Sequence, residues 1–284
     1  MSLPNSFCHQ LVGSISQGAA GNPTVAMVEA AFQRHGLNWR YVNMEVAPED
    51  LAAAVQGAWA MGFRGFNLSM PHKVTVIPML GSLGESAALI GAVNCVVRRD
   101  GQFIGENTDG KGFLTSLQSV IDPKGKQVVM FGAGGAARAV AVELALVGTR
   151  KIIIVNRDPA RGQELVDTLR DKTRVEAELV PWQGDYAIPE GTDVVINGTS
   201  IGLYEPEARL ALDLDTLQPG MVVADVVFNP PRTRLLVDAE DRGCIVVDGL
   251  GMLVNQGVIG VQHWTGIDPD AAAMRRALEL AMGV

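Results

Sequence analysis

The chain has 284 residues, 48% hydrophobic and 19% charged, enough apolar material for two domains of ordinary size, each with its own core. A formal net charge of −8 with no run of Lys or Arg excludes the footprint of a nucleic-acid binder, but not an anionic small ligand, because the local field of a cleft outweighs the total. Cys8, Cys95 and Cys244 are too scattered for a metal centre or a disulfide framework. Met1–Gln10 lacks the basic start and apolar core of a signal peptide, and no apolar run is long enough to span a bilayer, so a cytoplasmic chain without metal or membrane is expected.

Strand-like and helix-like segments alternate along the chain, the pattern of an α/β protein with largely parallel sheets. Strands are predicted near His9–Ile15, Asn38–Val46, Gly62–Ser69 and Ala92–Arg98. A helix precedes the third: Pro48 suits its first turn, Glu49 and Asp50 favour its positive end, and Gly62 ends it. The third strand leads into Asn67-Leu68-Ser69-Met70-Pro71-His72-Lys73, polar residues at an apolar strand's end with Pro71 opening a helix, a favoured place for a site. His72 is expected to face solvent there. Asp100–Gly101 reads as a hairpin turn. Gly91-Ala92-Val93-Asn94 and Asn107-Thr108-Asp109-Gly110 are also rich in chemistry, but nothing local says that these segments meet.

After Asn107 six apolar, β-branched runs follow: QVVMF, KIIIV, VEAELV, DVVIN, MVVADVV and CIVVD. With amphipathic stretches between several of them, a doubly wound sheet is expected. Two helices, around Leu253–Thr265 and Asp270–Met282, close the chain and have no further strand to serve, so they are expected to return to the first domain.

The first of these strands runs into Gly132-Ala133-Gly134-Gly135-Ala136-Ala137, a GxGxxA turn, and a helix-forming run follows. Gly132 permits the tight turn, Gly134 removes the side chain that would block a pyrophosphate, and Ala137 allows close helix–strand packing. The N–H groups of the helix start then face the phosphates. The next strand ends in Asn156-Arg157-Asp158, with Arg161 one turn on. Guanidinium groups at this place suit a 2′-phosphate and favour NADP over NAD. Asp158 is open to two readings: a ligand of the ribose hydroxyls, or a helix N-cap ahead of Pro159.

The order NxxxPxK, GAVN, NTDG and GAGGAAR closely resembles the shikimate dehydrogenase family. Farther on, Asn197-Gly198-Thr199-Ser200-Ile201-Gly202, the stretch from Asp225 to Thr233 containing Val226, and Gly249-Leu250-Gly251-Met252-Leu253-Val254-Asn255-Gln256 are similar to its later motifs. The resemblance implies a substrate-binding, catalytic α/β domain from 1–108 plus 249–284 and a Rossmann-type domain from 109–248. It implies Lys73 and Asp109 as the catalytic pair, Asn94 and Gln256 on ring hydroxyls, Ser69 near the substrate, and Thr199, Val226, Gly249 and Met252 beside the cofactor. The implied reaction is NADP- or NAD-dependent oxidation of a ring hydroxyl on shikimate or a close cyclic hydroxy acid, in a monomer or homodimer. Hydride goes to the nicotinamide while a lysine, when neutral, takes the hydroxyl proton; Asp109 is read as its positioning and relay partner.

The N-terminal loop departs from the family, whose motif there is SxSP. Ser14 and Ser16 form an SxS with no proline after it, whereas counting back from Ala30-Ala31-Phe32 puts Asn22 and Thr24 at the serine positions. All four can donate to a carboxylate. Phe228 stands where the family has Tyr, and Gly198 where Ala is usual. Quinate and aminoshikimate are therefore alternative substrates. A folate dehydrogenase is a further reading, though Trp39, Tyr41, Trp59, Phe63 and Phe66 are the few aromatics the first domain offers a pterin. A non-catalytic metabolite sensor is another, though it would need no Lys73–Asp109 pair.

Overall fold

The computed structural model describes residues 7–284; Met1–Ser6, part of the segment read for a signal peptide, lies outside the described residues. The chain divides into two compact units, Met1–Thr108 with Gly257–Val284, and Asp109–Gln256.

The first unit is built in the order β1 (Gln10–Ser16), α1 (Thr24–Arg34), β2 (Trp39–Glu45), α2 (Leu51–Ala60), β3 (Gly65–Leu68), α3 (His72–Thr75), β4 (Ser82–Leu83), α4 (Glu85–Ile90), β5 (Cys95–Arg99) and β6 (Gln102–Glu106). Its six strands lie in the order β2-β1-β3-β5-β6-β4. Leu51, Val55 and Ala58 recur at helical spacing on α2 and are buried, facing a core that includes Phe63, Phe66, Val96 and Phe103. β1 runs parallel to β2 and β3, but β5 is antiparallel to both β3 and β6. The largely parallel sheet expected here is thus a mixed one. The β5–β6 reversal is local: Asp100 (φ 51°) and Gly101 (φ 75°) are both left-handed, the backbone of a tight hairpin. The β3–β5 reversal is made by the longer connection through α3, β4 and α4. The third strand starts later than expected because Gly62 (φ 81°) still belongs to the turn that ends α2.

The second unit runs α5 (Asp109–Gln118), β7 (Gln127–Phe131), α6 (Gly135–Leu146), β8 (Lys151–Asn156), α7 (Pro159–Lys172), β9 (Glu176–Pro181), β10 (Tyr186–Ala187), β11 (Val194–Asn197), β12 (Leu212–Asp213), β13 (Val222–Asp225), α8 (Arg234–Glu240), β14 (Ile245–Val247) and the start of α9 (Gly249–Thr265). Six strands form an all-parallel sheet in the order β14-β13-β11-β7-β8-β9. The chain steps outward in one direction from β7 through β9, then returns to β11 on the other side. The crevice at that reversal is where such sheets bind ligands. The fifth apolar run stops short as a strand because the Asp225 carboxylate bends back to accept the Val227 N–H at 2.9 Å. α9 starts before Leu253 because Asp248 accepts the Gly251 N–H at 3.0 Å, a cap not recognised in the sequence.

The last helix, α10 (Ala271–Met282), is capped by Asp270 and packs on α1 in the first unit, with an Arg34–Asp270 ion pair at 3.0 Å. No described helix is long and apolar enough to cross a membrane, and no group of metal-ligating side chains occurs among the described residues.

Candidate active site

At the C-terminal ends of β7, β8, β11 and β13 a cavity of about 410 Å³ opens, lined by Gly132–Ala136, Asn156, Arg157, Thr199, Val226 and Phe228 among others. Gly132 (φ 99°) makes the turn, and a methyl group on it would sit 3.0 Å from the Thr199 side chain. Gly134 is the N-cap of α6, and a side chain on it would meet only Arg161 Nη2, at 3.9 Å; one on Gly135 would meet nothing within 4 Å. These two glycines therefore leave an open cradle before the unpaired N–H groups of the first turn of α6, the arrangement that receives a phosphate. A dinucleotide fits these residues.

Around the turn, Asp158 caps α7 by accepting the Arg161 N–H at 3.1 Å, and Asn156 Nδ2 donates to the Asp158 carbonyl at 2.7 Å. Of the two readings of Asp158, its carboxylate serves the cap. Arg161 folds back so that its Nε donates to the Ala133 carbonyl at 3.1 Å, bracing the turn, while Arg157 stays exposed at the rim. Trp182 also lines the cavity, and nothing in the sequence singled it out.

Gly198 occupies a tight place: an added methyl would lie 2.8 Å from Ala137 Cβ and 3.0 Å from the Phe131 carbonyl. With Ala at the third position of the turn, glycine is what fits opposite. Gly198→Ala is expected to cost about 1–3 kcal/mol by overpacking. It should lower the thermal midpoint by several degrees, and an unchanged melting curve would reject this account.

Asp225, fully buried, was given no role from the sequence, where it only opens a motif similar to the family's. It accepts from Asn197 Nδ2 (3.0 Å), the Thr233 hydroxyl (2.8 Å) and the Val227 N–H, so it sets the loop carrying Val226 and Phe228. Burial pushes its carboxyl up to about 6, and those three donors only partly offset this. Between the unfolded carboxylate value and about 6 the folded chain holds a proton that the unfolded chain has lost, so stability falls as pH rises through that window. Going from pH 7 to pH 5 should stabilise the protein through this group by about 1 kcal/mol. Asp225→Asn should lack that gain in melts at the two pH values; equal pH dependence in both proteins would remove the assignment.

In the first unit the segments that the sequence left apart are joined. Asn67 on β3 accepts from the Tyr41 hydroxyl (2.9 Å) and donates to the Asn94 carbonyl (3.1 Å). Asn94 donates to Thr108 Oγ1 (3.0 Å) and accepts the Thr108 N–H (2.6 Å), and the Val93 N–H donates to the Lys73 carbonyl (2.8 Å). Burial holds the Tyr41 phenol well above its usual range, so it remains a donor. Lys73, half-buried on the single-turn α3, is thereby tied to the Asn94 loop, which in turn clamps the residue preceding Asp109. Tyr41 and Asn67 were not assigned from sequence; only strand register could have paired them.

His72 does not face solvent. It is fully buried and its Nε2 donates to the Val46 carbonyl at 2.9 Å, because α3 is too short to stand alone and is pinned to the end of β2. Ser69 is exposed at the end of β3. Ser14 and Ser16 are buried in β1, and the Ser14 hydroxyl donates to Asn43 Oδ1 at 2.8 Å. Asn22 and Thr24 stand instead at the start of α1, where Asn22 Oδ1 accepts the Thr24 N–H at 3.0 Å and its carbonyl accepts from Asn43 at 3.0 Å.

The remaining positions lie in the second unit. Asp109 opens α5, and α5 meets α9 where Gly112 brings the backbones together: a methyl there would sit 2.7 Å from the Met252 carbonyl and 2.6 Å from the Gln256 nitrogen. Gly249 packs without room for a side chain against the Val226–Val227 backbone. Gln256 is buried, with Nε2 donating to the Leu253 carbonyl at 3.0 Å.

Three family models match the chain: the shikimate dehydrogenase substrate binding domain over residues 21–96, shikimate / quinate 5-dehydrogenase over 116–204, and the shikimate 5′-dehydrogenase C-terminal domain over 249–279. The chain is 44% identical to the shikimate dehydrogenase (NADP(+)) of Moorella thermoacetica over 90% of its own length and 88% of that protein. It is 53% identical, with a TM-score of 0.95, to the ligand-free 5-ketofructose reductase of Gluconobacter sp. strain CHM43, covering 97% of this chain and 99% of that one. It is 33% identical, with a TM-score of 0.89, to shikimate 5-dehydrogenase from Listeria monocytogenes in complex with shikimate and NAD, covering 98% and 99% of the two chains.

Proposed function

Because this chain belongs to the shikimate dehydrogenase family, we propose that it catalyses the reversible NADP-dependent oxidation of a ring hydroxyl on shikimate or a close cyclic hydroxy acid. The observation that carries this reading is the hydrogen-bonded joining of the Lys73, Asn94 and Thr108 segments in the first unit, combined with the open glycine cradle in the second. Nicotinamide, when bound, supplies the hydride acceptor. Lys73 takes the hydroxyl proton, and Asp109 orients the lysine and passes the proton on. Asn94 and Gln256 hold neighbouring hydroxyls, and Gly132–Ala136 carry the pyrophosphate with Thr199, Val226, Gly249 and Met252 toward the nicotinamide.

NADP is preferred over NAD because Arg157 and Asn156 line the cavity while the Asp158 carboxylate is engaged in capping α7. The folate reading loses support: Tyr41, Phe63 and Phe66 are buried, leaving little aromatic surface for a pterin. Lys73 and Asp109 are both present, as a reaction requires and a sensor does not.

A second reading of the substrate rests on a specific observation, the 53% identity to a 5-ketofructose reductase, higher than the 44% to the Moorella shikimate dehydrogenase. It agrees with the altered N-terminal loop, where the Ser14 hydroxyl is committed to Asn43 and an Asn–Thr pair opens α1. A neutral ketose reduced by NADPH needs no carboxylate-binding hydroxyls. Two assays decide: NADP+ with shikimate, quinate and other cyclic hydroxy acids, and NADPH with 5-ketofructose, both followed at the nicotinamide absorbance. A higher kcat/KM with shikimate upholds the first reading and a higher value with 5-ketofructose the second. No rate with any of them, from folded protein, removes both.

A further inference from the structure

We propose that Trp182 is a binding residue for the adenosine half of the cofactor, its indole carrying Arg157 at the rim of the cavity; this rests on the NADP reading above. Trp182 follows β9, next to the end of β8, and lines the same cavity as the Gly132–Ala136 turn, Asn156 and Arg157. It is held from several sides. Its N–H donates to the Asn156 carbonyl (3.0 Å), its Nε1 donates to the Ala211 carbonyl (2.9 Å), and its ring meets Phe131 edge-on with centroids 5.1 Å apart. At 9% exposure, it cannot swing out, and what it shows to the cavity is a fixed patch of indole.

The Arg157 guanidinium lies over that ring, 5.9 Å from its centroid, within cation–π range. An otherwise exposed arginine is thereby given a preferred place beside Asn156. In a doubly wound sheet the strand following the phosphate turn marks the ribose and adenine end of the cofactor. Trp182 is tied directly to the last residue of that strand, on the side away from Val226 and Phe228. A planar base and a guanidinium are both ligands that an indole face accepts.

Trp182 is the one tryptophan of the second unit; Trp39, Trp59 and Trp264 belong to the first. The part of the tryptophan emission that is lost in Trp182→Phe therefore reports on the second unit. With the full chain, 2′,5′-ADP should quench part of the emission saturably, nicotinamide mononucleotide should not, and Trp182→Phe should abolish the quench while keeping a ring against Phe131. Trp182→Leu should weaken 2′,5′-ADP binding in calorimetry by about tenfold or more, the scale of base-on-aromatic stacking. A quench that survives in Trp182→Phe, a quench produced by nicotinamide mononucleotide instead, or a folded Trp182→Leu protein with native affinity overturns the proposal while leaving the NADP reading intact. Native protein that binds neither 2′,5′-ADP nor NADP+ overturns both. Should Trp182→Leu fail to fold, the native and Trp182→Phe titrations still decide.

Discussion

Lys73→Met is expected to lower kcat by about 10²–10⁴-fold, the usual contribution of a positioned acid–base group. NADP+ affinity should be unchanged. The substitution keeps an apolar stem of similar length, with sulfur in place of one methylene, and removes the ammonium. The contacts that place α3, Val93 N–H to the Lys73 carbonyl and His72 to the Val46 carbonyl, involve no atom that is lost. The fold should therefore persist, and the loss should appear in turnover rather than in cofactor binding. Steady-state rates with calorimetric NADP+ titration check this. A variant with near-native kcat and an unchanged thermal midpoint would take the proton-transfer role from Lys73.

Gly134→Asp is expected to separate stability from binding. Gly134 is the N-cap of α6 with ordinary backbone angles, φ −76° and ψ −176°, and the cradle has room for a side chain. Asp is a better N-cap than Gly by a few tenths of a kcal/mol and also favours the positive end of the helix dipole, so the thermal midpoint should hold or rise. The new carboxylate would take the very N–H groups that a pyrophosphate needs and add like charge beside it. NADP+ affinity should fall by about 100-fold or more, equivalent to losing roughly 3 kcal/mol of charge-assisted hydrogen bonding. Native affinity in a folded Gly134→Asp protein would mean that the phosphates bind elsewhere.

The parts of the site that proved legible in the sequence are those whose physics is local. The strand–turn–helix around Gly132–Ala137 could be read because a tight turn, a missing side chain and a helix start each demand particular residues within one short stretch. The Asp100–Gly101 hairpin was legible for the same reason. His72 misled because a histidine beside a lysine at a helix start has no local mark of burial; its partner, the Val46 carbonyl, lies on another strand. Trp182, Tyr41 and Asp225 went unassigned because their partners, Asn156, Asn67 and Thr233, are set by strand neighbours or returning loops.

By itself the sequence determined most of the longer elements, the doubly wound second sheet and the strand–turn–helix at Gly132–Ala137, since apolar period, turn chemistry and helix propensity act over a few residues. Only the tertiary structure decided that β5 reverses against β3, that the Lys73, Asn94 and Thr108 segments share one hydrogen-bonded cluster, and that the Ser14 hydroxyl is turned inward to Asn43. The reason is that a buried polar group must find its partner across strands, and register, not sequence distance, chooses which one.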